Sequence, residues 1–245
     1  MRRVVFACLL TLALIAAAPP ASLVDAAIAH ASANRVRLAD ASGSLWSGSG
    51  RLANSQGERL PVPWLVLGWR FEPGTLASGR LAWRLSIDGR PALHATLGAS
   101  GVDIQEIELD LPAGPLLAAL PAPVFQLGWH GRLGARGETL ACDWQGRCNG
   151  NVELNWHGAA TDILPDRRLG DYRGALSANG TSAVIALSSP PTNALTIDGR
   201  LTLAAGQRPA ANLVLGGDPL IIDRLPAMLH GQTRRTPSGD LQVNW

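Results

Sequence analysis

The sequence predicts an all-β fold, mainly antiparallel hairpins in a meander with one or two short helices, preceded by one N-terminal membrane helix. Three observations predict it. Apolar and polar residues alternate along many short segments, Gly- and Asp-containing turns punctuate them, and a single long apolar run stands behind two arginines near the start.

Composition sets the outer limits. The 245 residues are 47% hydrophobic, enough for a packed core, which excludes a disordered chain. Charged residues reach only 16%, against about 25% in ordinary soluble domains. All 21 positive charges are arginine, a composition bias more than a binding signal. Against 19 acidic residues they leave a net charge of +2, so the chain carries no electrostatic footprint for nucleic acid. One long apolar stretch excludes a polytopic membrane protein.

That stretch comes first. Arg2 and Arg3 precede Val4 to Ala18, and Pro19-Pro20 follow. A basic start with a short apolar core is the pattern of an export signal. Small residues at Ala16 to Ala18 and the tripeptide Ala31-Ser32-Ala33 are candidate cleavage contexts. Counting on through Ala21-Ser22-Leu23-Val24 brings the run near the roughly 20 residues that span a bilayer. With no further positive charge until Arg35, the N-terminus is expected in the cytoplasm. The reading favoured is an uncleaved signal-anchor over residues 1–24, with a cleaved signal as the alternative. Either places residues 25–245 in the periplasm as one β-rich domain.

Ala21 to Ser32 has helical spacing at Leu23, Ala26, Ala27 and His30. Period two then takes over. Arg35-Val36-Arg37-Leu38 alternates; Leu81, Trp83, Leu85 and Ile87 share one face, and Asp88-Gly89 closes that strand with a hairpin turn signal. Val152, Leu154 and Trp156 alternate, as do Leu195, Ile197, Leu201 and Leu203 around a second Asp198-Gly199. Gly114 to Leu120 can form two helical turns with Pro115 in the first, and Pro219 to Leu229 another. Neither is long enough for a parallel-sheet crossover. Trp-His-Gly at 129–131 recurs at 156–158, and Ile-Asp-Gly-Arg at 87–90 recurs at 197–200, with unequal spacing. Leu241-Gln242-Val243-Asn244-Trp245 alternates at the C-terminus and is expected as an edge strand.

Cys142 and Cys148 flank Asp143-Trp144-Gln145-Gly146-Arg147. In an oxidising periplasm such a pair around a turn most simply forms a disulfide. Free thiols and a metal site are the alternatives, and zinc would need two further ligands. Cys8 lies inside the apolar run.

The sequence offers no catalytic, cofactor-binding or metal-ligating set. His30, His94, His130, His157 and His230 stand in no metal-ligand spacing. Glu106, Glu108 and Asp110, near Asp103, share one face of a strand with Ile107, Leu109 and Leu111 opposite, the pattern of a wet strand face. Ser47-Gly48-Ser49-Gly50 lacks the order of a nucleophile elbow. An enzyme is not expected.

The segment Val36 to Gly48 is the informative one. Within it, Gly43-Ser44-Leu45-Trp46-Ser47-Gly48 resembles the G-[TS]-L-W-x-G motif of protein N of the type II (general) secretion pathway. Leu127-Gly128-Trp129-His130-Gly131-Arg132-Leu133 resembles that family's recurrent G-x-L strands, and Leu169-Gly170-Asp171-Tyr172 its L-G-x-Y segment. The resemblance implies a single-pass inner-membrane protein with a periplasmic β domain. Such a protein is an accessory component in the export of folded proteins, without cofactor. Its partners would be other secretion subunits or secreted proteins, met through strand edges or apolar patches. Gly43, Leu45, Trp46 and Gly48 are expected to be structural, with Trp46 anchoring the first hairpin in the core. A second resemblance is to AsmA-like envelope proteins, which implies lipid carried in an apolar groove.

Overall fold

A computed structural model describes residues 19–55, 62–120, 123–164, 167–204, 206–223, 225 and 233–244. They fall into two compact units, one up to Ala92 and one from Leu93 onward. Both are antiparallel β meanders with few and short helices, as the alternating pattern predicts.

The first unit begins at Pro19 and Pro20. Of the expected membrane segment, residues 1–18 lie outside the described residues. Ala21 and Val24 pack against the sheet of this unit, in one apolar cluster with Leu38 and Trp69. Helix α1 (Ser22–Ala31) is the Ala-rich segment, with Asp25 in its first turn, where a carboxylate favours the helix dipole, and His30 in its last. No helix of the described residues is long and apolar enough to cross a membrane.

Strands β1 (Val36–Gly43), β2 (Ser47–Asn54), β3 (Pro63–Phe71) and β4 (Leu81–Ile87) follow, each pairing with the next. One face of this sheet carries Leu38, Leu52, Leu67, Trp69, Trp83 and Leu85 and packs with Ala21, Val24 and Ile28 from α1 and its approach. The helix also seals the outer edge of β1. Leu38 N–H donates to Asp25 Oδ1 (2.7 Å), and the Ser32 hydroxyl both receives Val36 N–H (3.0 Å) and donates to Val36 C=O (3.2 Å). An unpaired strand edge is a template for unwanted pairing, and α1 occupies part of it. After β4 the chain turns at Asp88 (φ 48°) and Gly89 (φ 79°), the two positive φ values of a type I′ hairpin.

The division between the units falls inside β5 (Arg90–Gly98). In the second unit β5 pairs with β6 (Gly101–Pro112), and the meander continues through β7 (Trp129–Asp143), β8 (Cys148–Thr161), β9 (Arg168–Gly180), β10 (Ser182–Ser188), β11 (Leu195–Ala204) and β12 (Ala210–Gly217). β14 (Leu241–Asn244) then pairs with β12 on one side and with β13 (Thr233–Arg235) on the other. The terminal segment is therefore an inner strand, with Leu241 and Val243 both 1% exposed, and the three-residue β13 takes the edge. Helix α2 (Ala113–Ala118) realises the Pro115 prediction. α3 (Pro219–Ile222) is a single turn capped by Asp218, whose carboxylate accepts Leu220 N–H (2.9 Å); of the helix expected over 219–229, residues 224 and 226–229 lie outside the described residues.

Asp198-Gly199 is not a turn. Both lie within β11, where Asp198 pairs with Val214 and Gly199 with Leu213. A Cβ on Gly199 would fall 2.2 Å from Asn212 O, so glycine here permits close strand approach. The core of this unit lies towards its C-terminal strands, where Leu169, Tyr172, Leu195, Leu215, Ile221, Ile222, Leu241 and Val243 are buried together.

Candidate functional site: the motif hairpin and the clamped tip

The hairpin between β1 and β2 is held by every backbone carbonyl at its tip. Ser44 C=O accepts the Trp69 indole N–H (2.8 Å), Leu45 C=O the Trp83 indole N–H (3.1 Å), and Trp46 C=O the Phe71 amide (2.6 Å). The Ser44 hydroxyl accepts Trp46 N–H (3.2 Å) and Ser47 N–H (3.3 Å), turning the chain. On the far side, Leu45 N–H donates to Pro19 C=O (2.7 Å). Satisfied polar groups around a large apolar ring fix one conformation, because each unmet partner would cost the full desolvation penalty.

Both motif glycines are required by close approach. Gly43 has φ 93°, and a Cβ there would lie 2.4 Å from Ser47 O. On Gly48 a Cβ would lie 2.4 Å from Ser42 O and 2.6 Å from the Trp69 ring. The ring that fills the core is Trp69, 7% exposed. Trp46 instead lies half-buried at the rim, its centroid 4.7 Å from Phe71 and 6.4 Å from Trp83. The core position expected for Trp46 belongs to Trp69, beside Trp83, which the alternation of β4 already sets on the apolar face.

The other two motifs meet in the second unit. Trp129-His130-Gly131 on β7 and Trp156-His157-Gly158 on β8 face each other across a shifted register, with Arg132 opposite His157. Trp156 indole N–H donates to His130 C=O (3.0 Å), and the Trp129 and Trp156 rings meet edge to face at 5.2 Å. Trp156 also touches Tyr172 on β9 at 5.9 Å. Tyr172 donates its hydroxyl to Leu195 C=O (2.8 Å), and burial pushes its pKa far above the ordinary value, with Asp171 adding to the shift. The two imidazoles are exposed: His130 Nε2 lies 2.6 Å from Asp162 and His157 Nδ1 3.9 Å from Asp171. Among the described residues no group of His, Cys, Asp or Glu could hold a metal ion. His30 is exposed on α1, His94 is half-buried on β5, and His230 lies outside the described residues.

Glu106, Glu108 and Asp110 point to solvent while Ile107 is 6% exposed, so the acidic row is the wet face of β6. Two of its members pair across to β7, Asp110 with Arg132 (2.8 Å) and Glu108 with Arg136 (3.0 Å).

Cys142 and Cys148 are bonded to each other and close the tip between β7 and β8. Cys8 lies outside the described residues. Within the tip, Asp143 accepts Gln145 N–H (3.0 Å) and Arg147 N–H (2.9 Å) on Oδ1 and pairs with the Arg147 side chain at 2.6 Å. The Arg147 backbone donor, with its side chain and Gln145 N–H, holds the Asp143 carboxyl below its usual pKa. Trp144 stands 59% exposed on this tip, its indole N–H donating to Ala99 C=O (3.0 Å).

All three motif segments lie inside residues 34–219, which match the family model of the type II secretion system, protein N. The chain belongs to that family. The match takes in most of the first unit and the second unit as far as α3, so the protein is a component of type II secretion. No curated protein and no solved structure matches the chain.

Proposed function

We propose that this protein N family member is a non-catalytic, accessory envelope component of type II secretion, exported behind residues 1–18 and working by contact with other secretion subunits or secreted proteins in the periplasm. The observation that carries the reading is the family match over residues 34–219. The disulfide at Cys142 and Cys148 fits an oxidising compartment. We further propose that the apolar run behind Arg2 and Arg3 is kept as an inner-membrane anchor with those arginines on the cytoplasmic side, although Ala21 and Val24, counted into the span from sequence, pack in the folded unit. The partner contact uses surfaces other than the part of the β1 edge that α1 occupies.

Cross-linking in intact cells, followed by purification of the full chain and mass spectrometry, tests both statements. Secretion subunits among the cross-linked proteins, with the N-terminal segment intact, are expected. Lipid alone bound to the purified chain would favour a lipid carrier, and a mature chain beginning after Ala18 would contradict the anchor.

A further inference from the structure

The face of the first unit opposite α1 carries rows of directly opposed residues. Ser47, Arg70 and Arg84 form one row across β2, β3 and β4, and Ser49, Gly68 and Ser86 form the next row on that face. With Trp69, Leu85 and Pro91 they line a groove of about 440 Å³. Its floor is open because Gly68 has no side chain; a Cβ there would lie 2.5 Å from the Ser86 hydroxyl.

The chemistry of this groove is one-sided. Like charges directly opposite on a sheet repel, yet Arg70 and Arg84 are paired in register. Arg84 has Glu72 at 2.9 Å, whereas Arg70 has no ion-pair partner among the described residues. The hydroxyls of Ser47 and Ser86 have no hydrogen-bond partner among those residues either. Hydroxyl donors and the Arg70 guanidinium converge on the groove, while Glu72 balances the charge of Arg84. The surrounding unit has the same sign: residues 19–92 hold eight arginines against five acidic residues, whereas residues 93–245 hold eleven against fourteen.

We propose that this groove binds an acidic, extended segment of a partner protein. One carboxylate is held by Arg70, assisted by Arg84, and the segment's polar groups meet the serine hydroxyls over Gly68. A planar guanidinium fork matches a carboxylate in two parallel hydrogen bonds. A lipid acyl chain fits less well, because, of the apolar lining residues, Trp69 and Leu85 pack in the cluster on the α1 side, which leaves Pro91 as the exposed apolar side chain. The inference deepens the contact reading above and rests on it for the partner being a protein.

Fluorescence anisotropy of the full chain with a labelled octaglutamate peptide, and with octaglutamine as its uncharged match, tests this. Saturable binding of octaglutamate alone is expected, weakening with salt. Arg70→Gln should reduce affinity about tenfold or more, and Gly68→Leu, which fills the floor, should abolish it. Arg35→Gln, elsewhere in the same unit, should leave it unchanged. Far-UV circular dichroism checks that each variant is folded, and Arg70→Gln, at an exposed position, keeps the test open if Gly68→Leu does not fold. Equal loss on Arg35→Gln, no saturable binding, or stronger binding to anionic phospholipid vesicles than to octaglutamate would each overturn the proposal. The assay reads the groove alone, so its failure would leave the secretion reading, tested in cells, standing.

Discussion

The two units solve the same problem, a meander with one apolar face, by different means. The first covers its apolar face with α1, and the helix anchors itself through Asp25, which takes Leu38 N–H and both Nε and Nη2 of Arg37. Among its described residues the second has two short helices, α2 beside β7 and the single turn α3 at its C-terminal end, and it builds its core mainly from strand residues around Tyr172. Charge differs as well: the first is basic and the second acidic. Where a helix is available, a two-layer core and a sealed edge follow from ten residues of chain. Where the helices are only four and six residues long, long strands bent at bulges such as His130/Arg132 bring the aromatic rings together.

Changes that separate helix-covered packing from strand-only packing differ in size. Trp69→Ala should cost about 3–5 kcal/mol in chemical denaturation, as for other large buried aromatics. Trp144→Ala, at an exposed position, should cost less than about 0.5 kcal/mol. Equal losses would remove the distinction between core ring and displayed ring. Opening the clamp with Cys142→Ser and Cys148→Ser together should cost about 2 kcal/mol, the entropy of a ring with sequence separation 6. Reductant should give the same loss in the unmodified chain, and alkylation of Cys142 and Cys148, as distinct from Cys8, without reductant would contradict the bond.

Asp25→Ala should cost about 1 kcal/mol, by freeing Leu38 N–H, and should speed amide exchange in β1. The hydrogen bonds from Arg37, with that from Leu38 N–H, lower the Asp25 pKa, partly opposed by burial. A depressed carboxyl pKa stabilises the fold above the unfolded value near 4 and loses that contribution as pH falls through the folded value. The wild-type chain should therefore lose protection of β1 in acid, and the variant should show less of that pH dependence. Tyr172→Phe should likewise cost about 1 kcal/mol, for one hydrogen bond to Leu195 C=O. Tyr172 is the sole tyrosine, so alkaline absorbance titration reads it directly. Its pKa is raised in the fold, so its contribution is complete below about pH 10 and declines above it. Tyrosine ionisation near pH 10 in the folded chain would contradict its burial.

Much of this was legible in residue order. Alternation located β4 and β8, the Cys142 and Cys148 spacing located the clamp, and the wet face of β6 followed from Glu106, Glu108 and Asp110 against Ile107. The identical strings at 87–90 and 197–200 show where local reading stops. The first is a turn and the second is mid-strand. Pro91 follows the first and removes a ladder donor, whereas Leu-Thr-Leu follows the second and continues the strand. Trp46 and Trp69 show the same limit, since which indole fills a core depends on partners that sequence alone does not pair. The groove at Gly68 was not legible at all, because it needs the register that sets Arg70 opposite Arg84.

Release of a folded secreted enzyme into the medium, measured in cells with and without this chain, tests the secretion role most directly. The account predicts that the enzyme accumulates in the periplasm without the chain and is released again when it is restored. Unchanged release in its absence would contradict it.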